Sequence, residues 1–330
     1  MSVEGIFRIC VVSLLFLSGM MGGVCAMDKE NDGVIVPAPL KAGDTVAIVA
    51  PAGRVREGDV EAAAEIMRSH GWVPVIGRNA LGREGTYSGT DGERYADVRD
   101  AVLDESVRAI VCARGGYGVV HLLDSLDALP WRENAKWVVG FSDISALHAL
   151  LRRHGVASVH GPMCRYISAD GGDNDDAREL FGLLEGDRPD YVVAPHEYNR
   201  EGTATGVLTG GNLAVLTGLV GTPYDVFRPG TVLVIEDVNE PIYKVERMLY
   251  QLRLSGVLPR LAGLIVGQFT HYSADDNYES MECMIRDMVS PYGYPVAFDV
   301  PIGHNGRCMP LIESVPVTLT VTADGVSIRQ

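Results

Sequence analysis

Short apolar runs alternate with helical patterns through the first half of the chain. A strand is predicted in each of the runs TVAIVAPAG, WVPVIG, RAIVCARGGYG, WVVGFSD and VASVHGPM. Helical periodicity appears at residues 58–71 and in ISALHALLRRHG. Strands that are apolar throughout and alternate with helices are typical of a parallel sheet covered on both faces. Ligands of such sheets bind at the carboxyl ends of the strands.

The pattern changes near residue 168, where the polar, Gly- and Asp-rich stretch SADGGDNDDARE begins. In the second half, strands are predicted in TVLVIEDVNE, GLIVGQF, PVAFDVPIGH and PVTLTVTA. Helices are predicted in YKVERMLYQLRLSG, which Gly256 should end, and near residues 278–289. This second half is predicted to be a mixed α/β domain with more antiparallel character.

The chain of 330 residues is long enough for two domains of ordinary size. The pattern predicts a linker at residues 27–42 and an N-terminal domain at 43–167. A second linker is predicted at 168–204 and a C-terminal domain at 205–330.

Residues 1–26 have the pattern of a secretory signal peptide. An apolar core, ICVVSLLFLSGMM, precedes Val24 and Ala26 at the −3 and −1 positions of a cleavage site. The core is short for a membrane span of ~20 residues. We therefore expect an exported, periplasmic protein whose mature chain has no stable membrane span. An uncleaved anchor stays open, a lipoprotein at Cys25 fits less well, and without a working signal the protein would be cytoplasmic.

Composition narrows the class of protein. Hydrophobic residues make up 47% and charged residues 22%, which is typical of a globular chain. The formal net charge of −15 argues against nucleic acid as a partner. The cysteines left after signal removal show no metal-ligand spacing, so no metal site is predicted, and their disulfide status stays open. These cysteines are Cys112, Cys164, Cys283 and Cys308.

The segment WVVGFSDISALHALL runs from a buried strand through a sharp turn into a helix, with Ser142 at the turn. This is the local architecture of a nucleophile elbow, which exposes the hydroxyl and directs the backbone N–H of Asp143 toward a developing oxyanion. Gly140 would relieve crowding, but Ile144 occupies the position of the second glycine in G-x-S-x-G. Ser is also a favoured helix N-cap, and this segment alone does not separate the two interpretations.

A nucleophilic serine needs a base, and the base needs an acceptor that orients it. Of the eight histidines, His304 lies in a glycine-flanked loop after a strand, and His160 at a strand end is the second candidate. Glu236 ends the apolar run TVLVIE, where a carboxylate is costly unless it is paired. Asp237 and Glu240 could serve equally by pattern. The alternative for Glu236 is a structural ion pair with Lys244 or Arg247.

The run RAIVCARGGYG places glycines at a strand end, where backbone N–H groups can approach a ligand closely. A cradle for an oxyanion or a carboxylate is one interpretation, with Arg114 nearby. A phosphate loop is the rival, but the spacing differs from G-x-G-x-x-G and no Walker lysine follows. A plain tight turn also stays open.

Taken together in order, the motifs RGGYG, GFSD, HGPM, GGNLAVLTGLVGTPY, VIEDVNEPIYKVERMLYQL and IGH resemble the serine LD-carboxypeptidases, or muramoyltetrapeptide carboxypeptidases. The resemblance runs from about residue 45 to about residue 310. It implies a Rossmann-like N-terminal domain, a C-terminal domain and an active site in the groove between them. It also implies a homodimer.

The resemblance implies that Ser142 is the nucleophile, Glu236 the acidic member and His304 the base of a triad. Backbone N–H groups of Gly116 and Asp143 would form the oxyanion hole, and no cofactor would be needed. The expected reaction releases the C-terminal D-alanine of a murein tetrapeptide, whose terminal carboxylate Arg114 could bind. Alternatives are cleavage of peptidyl-nucleotides, as in the microcin-immunity branch of the family, a non-catalytic cell-wall peptide-binding protein, or a nucleotide-dependent enzyme.

Overall fold

A computed structural model describes residues 33–273 and 275–330. The predicted signal peptide, residues 1–26, lies outside the described residues. The strands are β1 (Thr45–Val49), β2 (Val73–Ile76), β3 (Val107–Cys112), β4 (Trp137–Gly140), β5 (Ser158–His160), β6 (Asp190–Val193), β7 (Gly202–Asn212), β8 (Thr231–Val238), β9 (Gly263–Thr270), β10 (Val296–Ala297), β11 (Leu311–Glu313), β12 (Pro316–Thr322) and β13 (Gly325–Arg329). The α-helices are α1 (Glu57–Ser69), α2 (Asp91–Leu103), α3 (Leu123–Leu126), α4 (Ser145–Arg153), α5 (Cys164–Ile167), α6 (Asp175–Glu185), α7 (Leu213–Thr217), α8 (Ile242–Leu254) and α9 (Met281–Val289).

The first sheet has the strand order β11-β5-β4-β3-β1-β2. Strands β1 to β5 are parallel to their neighbours, and only the edge strand β11 runs antiparallel, against β5. Every residue of the central strand β4 is buried, as expected when helices cover both faces of a parallel sheet. The predicted parallel sheet of the N-terminal half is confirmed.

The second sheet has the order β10-β9-β8-β7-β12-β13-β6. Its strands β7 to β10 are parallel, whereas β12, β13 and β6 are antiparallel. The antiparallel part alternates buried and partly exposed residues, as in Pro316–Thr322, because one face meets solvent. The predicted mixed α/β character of the second half is confirmed.

Sheet membership does not follow the chain order throughout. Strand β11 comes from the C-terminal half but extends the first sheet, while β6 lies in the predicted linker 168–204 and closes the edge of the second. The same segment contains helix α6. Residues Val34–Gln330 form one compact unit by their contacts, and the predicted domain boundaries stay a prediction.

Two helix signals show how local sequence sets the elements. Helix α8 ends where Gly256 takes a left-handed backbone (φ 75°), which confirms the predicted stop. Helix α2 was not identified from the pattern. Its signal is a capping box, in which the Thr90 hydroxyl accepts from the Glu93 N–H and the Glu93 carboxylate accepts from the Thr90 N–H.

One apolar cluster joins the two sheets at the place where the elbow helix α4 lies. It includes Val138 of β4, Leu147 of α4, Leu213 of α7 and Ile235 of β8, all fully buried. Helix α4 packs directly on α7, so the turn before α4 and the ends of β7 and β8 are held in one rigid arrangement. The four described cysteines are free thiols, and three of them are buried.

Candidate active site

The turn at Ser142 has the strained geometry of a nucleophile elbow. Buried strand β4 ends at Gly140, and Ser142 has φ 64°, a left-handed conformation that is uncommon for a residue with a side chain. A short 3₁₀ turn, Ser142–Ile144, then leads into α4. The N-cap positions are Phe141 for the turn and Ile144 for α4, so the Ser142 hydroxyl does not cap either element. The N-cap interpretation of Ser142 is therefore not supported.

Gly140 is required by the side chain of Ile144, two residues after the serine. A Cβ on Gly140 would lie 2.9 Å from both Cγ1 and Cγ2 of Ile144, closer than a real Cβ contact allows. The crowding expected at this turn is thus real, and its source is Ile144. Ile144, which departs from G-x-S-x-G, therefore fits at this turn only because Gly140 has no side chain.

The glycine loop after β3 packs against the elbow. A Cβ on Gly115 would lie 2.7 Å from Ser142 Cβ and 3.0 Å from its Oγ. Gly116 has φ 116°, and a Cβ there would approach the backbone of Gly53 at 3.1 Å. Only a loop without side chains can reach the nucleophile at this distance. This favours the cradle interpretation of RGGYG over a plain turn.

Asp143 ties the elbow to the same loop. Its buried carboxylate accepts a hydrogen bond of 2.9 Å from the Val119 N–H, three residues after Gly116. Burial raises the pKa of Asp143, and the Val119 bond opposes that shift. The side chain thereby fixes the two segments whose backbone N–H groups, at Gly116 and Asp143, are predicted to form the oxyanion hole. That role stays a prediction.

Glu236 and His304 form a hydrogen-bonded pair. His304 Nδ1 and Glu236 Oε2 are 2.8 Å apart, with Glu236 fully buried and the His304 side chain 19% exposed. In the neutral imidazole, Nδ1–H donates to the carboxylate, which leaves Nε2 as an acceptor. Among the described residues the ion-pair alternative for Glu236 is not observed: Lys244 pairs with Glu240 at 3.5 Å, and the Arg247 guanidinium lies over the Tyr243 ring.

Local backbone features bring this pair together. The pairing of β8 with β9 shifts register between Ile235 and Asp237, a bulge of the kind that redirects a side chain next to an active site. Gly303 has φ 135°, and a Cβ on it would lie 3.3 Å from Glu236 Oε2 and 3.1 Å from the Gln268 carbonyl oxygen. A glycine before His304 is therefore needed for the imidazole to reach the carboxylate.

Asp237 has a different task from its neighbour. Its carboxylate accepts hydrogen bonds from the Asn212 side chain (3.0 Å) and from the Ala214 N–H at the start of α7 (2.9 Å). Burial, and then the charge of Glu236, raise the pKa of Asp237 to about 6. Asp237 thus stabilises the start of α7. Of the three acidic candidates, Glu236 is the one that contacts His304 among the described residues.

The second candidate base, His160, does not reach the cleft. It is 1% exposed, and burial lowers its pKa to about 3. Neither ring nitrogen of His160 has a hydrogen-bond partner among the described residues. The nearby His148 bonds the Gly140 carbonyl oxygen at 2.8 Å. A buried imidazole that stays neutral cannot receive a proton from a group in the cleft, so His160 is a core residue.

Ser142 and His304 line one cavity of about 690 Å³, together with Arg114, Gly115 and Gly116. This volume is in the range of small-molecule sites. The Phe141 ring lies against the His304 ring, with centroids 4.9 Å apart. Among the hydrogen bonds of the described residues, none joins Ser142 Oγ to His304. Catalytic hydrogen bonds often tighten only when substrate is bound.

Arg114 lines the cavity, and one of its guanidinium nitrogens is hydrogen-bonded to the protein backbone. Its Nη1 donates to the Arg54 carbonyl oxygen at 2.6 Å, which leaves the other guanidinium N–H groups for a ligand. The cavity also exposes residues that the sequence did not single out as functional. They are Val55, Arg56, Asp59, Ala113, Phe141, Met163, Arg165, Tyr166, Val238, Asn239 and His271. Asn239 and His271 have left-handed backbones at the ends of β8 and β9, the edge at which ligands of parallel strands bind.

Within residues 33–273 and 275–330, no group of three or more His, Cys, Asp and Glu side chains is placed to hold a metal ion. None of the helices in those residues is long and apolar enough to cross a membrane.

Comparison with known proteins identifies the family. Residues 46–161 match the LD-carboxypeptidase N-terminal domain, and residues 205–319 match the LD-carboxypeptidase C-terminal domain. The chain is 32% identical to the "Probable murein peptide carboxypeptidase" of Bacillus subtilis, over 85% of this chain and 89% of that protein. It is 30% identical to the murein tetrapeptide carboxypeptidase of Pseudomonas aeruginosa, over 79% and 88%.

Solved structures agree with this assignment. The muramoyltetrapeptide carboxypeptidase from Oxalobacter formigenes superposes with a TM-score of 0.77 at 27% identity, covering 86% of this chain and 98% of that one. The microcin C7 self immunity protein MccF, in complex with aspartyl sulfamoyl adenosine, shares the fold with a TM-score of 0.77 at 20% identity, covering 90% and 98%. The resemblance seen in the motifs is confirmed: the chain belongs to the LD-carboxypeptidase family.

Proposed function

We propose that this protein is a serine LD-carboxypeptidase that hydrolyses the L,D-peptide bond before the C-terminal D-alanine of murein tetrapeptides. The observation that carries the proposal is the buried Glu236–His304 hydrogen bond, at a cavity shared with the strained Ser142. Two relatives whose names specify murein peptides support the substrate.

The geometry supports a role for each residue in the acylation step. His304 Nε2 accepts the Ser142 proton while Oγ attacks the carbonyl carbon of the L,D-bond. The carbonyl oxygen becomes negative, and the N–H groups of Gly116 and Asp143 stabilise it. One such donor contributes ~2.7–4 kcal/mol to transition-state stabilisation. His304 then gives its proton to the amine of the departing D-alanine, and the C–N bond breaks.

Deacylation repeats the sequence with water as the nucleophile. His304 takes a proton from water, the hydroxide attacks the acyl ester on Ser142, and the proton returns to Ser142 Oγ as the ester bond breaks. Through both steps Glu236 holds the Nδ1–H tautomer and stabilises the imidazolium. The reaction consumes one water and releases D-alanine and a tripeptide.

Mass spectrometry of muropeptide digests made with wild type and with Ser142→Ala tests the proposal. We expect wild type to shorten tetrapeptides by one D-alanine and the variant to lose this activity by orders of magnitude. Equal activity of Ser142→Ala would refute serine catalysis. A peptidyl-nucleotide conjugate is assayed in parallel to distinguish murein hydrolysis from the microcin-immunity reaction. Turnover of the conjugate but not of the tetrapeptide would favour the second.

We further propose that the protein works in the periplasm after removal of residues 1–26, and that it is a homodimer. Intact-mass analysis of the protein purified from a periplasmic extract tests the first statement, because a mature chain should begin at Met27. Sedimentation equilibrium tests the second. A full-length chain in the cytoplasm, or a monomer at micromolar concentration, would contradict the respective statement.

A further inference from the structure

An arginine is buried behind the loop that is predicted to form part of the oxyanion hole. Arg94 lies on helix α2 and is 1% exposed. Arginine is almost never fully buried unless it is paired, and one nitrogen of this side chain pairs with the exposed Asp91. Arg94 is not among the described residues that line the cavity, so it has no direct part in the proposed hydrolysis. Its remaining N–H groups face the protein interior and serve the protein itself.

The guanidinium of Arg94 joins three loops, which follow β1, β2 and β3. Nη1 donates to the carbonyl oxygen of Pro51 after β1, and also to that of Gly118 after β3 at 2.9 Å. Nε donates to the carbonyl oxygen of Gly89, between β2 and α2, at 3.2 Å. The N–H groups of a guanidinium have a fixed, planar arrangement, so this one side chain constrains the relative positions of three backbone segments.

The peptide group between Gly118 and Val119 is held at both ends by charged side chains. Its C=O accepts from Arg94 Nη1, and its N–H donates to Asp143 Oδ2, each at 2.9 Å. A cation therefore faces the negative end of the peptide dipole and an anion faces the positive end. A peptide turned over would present its oxygen to the carboxylate and its N–H to the guanidinium, and both contacts are repulsive. The two charges thus select one orientation of this peptide.

Arg94 also acts on Asp143 electrostatically. Burial raises the pKa of the Asp143 carboxyl, while the hydrogen bond from the Val119 N–H and then the charge of Arg94 oppose that shift. The guanidinium therefore favours the ionised carboxylate, which is the form that binds the peptide N–H most strongly. The two side chains support each other across the peptide group that they hold.

The backbone of Gly118 needs such a constraint. Its φ of 125° lies in a region that glycine enters freely, and a Cβ there would lie 2.9 Å from Arg94 Nη1 and 3.1 Å from the Tyr87 ring. Glycine thus lets the guanidinium approach, but it also leaves the chain free to adopt other conformations. The orientation of the next peptide has to come from its contacts, and Arg94 and Asp143 supply them.

The held peptide lies next to both predicted oxyanion donors. The Gly116 N–H is two residues before Gly118, and the second donor is the backbone N–H of Asp143 itself. The loop after β1, which Arg94 also binds, packs on the same glycine loop, because the Gly53 N–H donates to the Gly115 carbonyl oxygen at 2.9 Å. A displacement of the peptide after Gly118 would therefore move the donors relative to Ser142.

We propose that Arg94 is a positioning residue, which together with Asp143 fixes the peptide between Gly118 and Val119 and thereby aligns the two oxyanion donors. The proposal rests on the proposed function and adds a residue to its machinery. The oxyanion exists only after the nucleophile has attacked, so an interaction that aligns its donors should affect kcat rather than substrate affinity. A side chain that served packing alone would instead lower kcat only in step with stability.

Steady-state release of D-alanine from a murein tetrapeptide, with urea unfolding of each variant, tests the proposal. We expect Arg94→Gln to lower kcat about ten- to a hundredfold and to leave KM within about threefold, since the donors are displaced rather than removed. Arg94→Lys keeps the charge and three N–H donors, and its kcat should recover at least about threefold over that of Arg94→Gln. Arg99→Gln is the matched control, because Arg99 is on the same helix, is 41% exposed and pairs with Asp100. Its kcat should stay within about twofold of wild type.

Labelling of Ser142 by a fluorophosphonate separates this proposal from the proposed function. The serine oxygen bonds to phosphorus and fluoride leaves, while the phosphoryl oxygen uses the same donors as an oxyanion, so no murein peptide is needed. We expect labelling of Arg94→Gln to be at least about tenfold slower than that of wild type. If wild type is labelled but does not cleave the tetrapeptide, the proposed substrate is wrong and the labelling rates still decide the role of Arg94. If it is not labelled either, faster hydrogen exchange of residues 115–119 in Arg94→Gln than in Arg99→Gln decides it.

The same peptide can be tested from its other end. Asp143→Asn keeps the shape of the side chain and removes the anion, and its loss of kcat should not add to that of Arg94→Lys, because both act on one peptide group. Full additivity of the two losses would overturn the proposal. So would equal labelling of wild type and Arg94→Gln, a change confined to KM, or a fall in kcat that only follows the loss of folded protein.

Discussion

Replacing Glu236 by glutamine changes one charge at the most buried point of the site. The substitution keeps the size of the side chain but removes the negative charge that lies 2.8 Å from His304 Nδ1. If His304 becomes an imidazolium in the transition state, that charge is what stabilises it. The free energy at stake is therefore the interaction of two opposite unit charges inside the protein.

Coulomb's law gives the size of the effect. Two unit charges about 4 Å apart interact with about 4 kcal/mol at an effective dielectric constant of about 20. Because about 1.4 kcal/mol corresponds to a tenfold change in rate, kcat should fall about a thousandfold. A second effect adds to this loss. The glutamine amide can present its NH₂ to Nδ1, which favours the tautomer with the proton on Nε2 and leaves no acceptor for the Ser142 proton.

The same substitution should leave the fold intact. Oε1 of Glu236 is buried and has no hydrogen-bond partner among the described residues, so the carboxylate is only partly compensated for its loss of water. A neutral amide has a smaller desolvation cost. We therefore expect the free energy of unfolding of Glu236→Gln to equal or exceed that of wild type.

The assay follows D-alanine release from a murein tetrapeptide at steady state, alongside urea unfolding of each variant. Glu240→Gln is the control, because Glu240 lies just beyond the same strand and pairs with Lys244. Its kcat should stay within about twofold of wild type, since surface ion pairs contribute little. The reasoning would be refuted if Glu236→Gln kept more than a tenth of wild-type kcat, or if its activity fell only in step with a loss of stability.

Two further substitutions test the packing and the buried charge. In Gly115→Ala, the new Cβ would lie 2.7 Å from Ser142 Cβ, and kcat for D-alanine release should fall at least about a hundredfold, because a small displacement of the reacting group can cost this much. Gly58→Ala is the control, because its Cβ meets open space and its kcat should equal that of wild type. Equal kcat in both variants would contradict the packing argument. Burial raises the pKa of Glu313 from an ordinary 4.5 to about 8, so the folded protein holds a proton that the unfolded chain releases in this window, and wild-type stability falls as pH rises through it. Urea unfolding of Glu313→Gln should show a gain over wild type that grows from pH 5 to pH 8, by at most about 1.4 kcal/mol per pH unit, and a gain independent of pH would contradict the assignment.

The strands and the elbow could be predicted because their signals are local. A run such as VLVI, residues 232–235 of β8, is apolar at every position, and only a strand covered on both faces hides all of its side chains. Ser142 could be placed at the bend between such a strand and a helix, because a strand period gives way to a helical one within four residues. Both inferences need only a short stretch of sequence.

Features that depend on contacts between distant segments could not be predicted. The placement of β11 in the first sheet and of β6 in the second depends on which strand edges meet, and a strand's own sequence carries little information on its partner. The sequence also could not decide whether Glu236 or Asp237 is the partner of His304, for a related reason. Strand alternation puts neighbours on opposite faces, but which face meets His304 depends on the bulge in β8 and on the path of a loop almost seventy residues later.

The position of Ile144 shows why a partial motif was nevertheless informative. In G-x-S-x-G the second glycine lets a neighbouring segment approach the elbow, and here Ile144 takes that space and uses the room that Gly140 leaves. The close approach is supplied from another strand end, where Gly115 meets Ser142. A substitution of Ile144 by glycine would therefore not improve the elbow. It would remove a fully buried side chain, at a cost of about 2–5 kcal/mol of stability, and leave the contact between Gly115 and Ser142 unchanged.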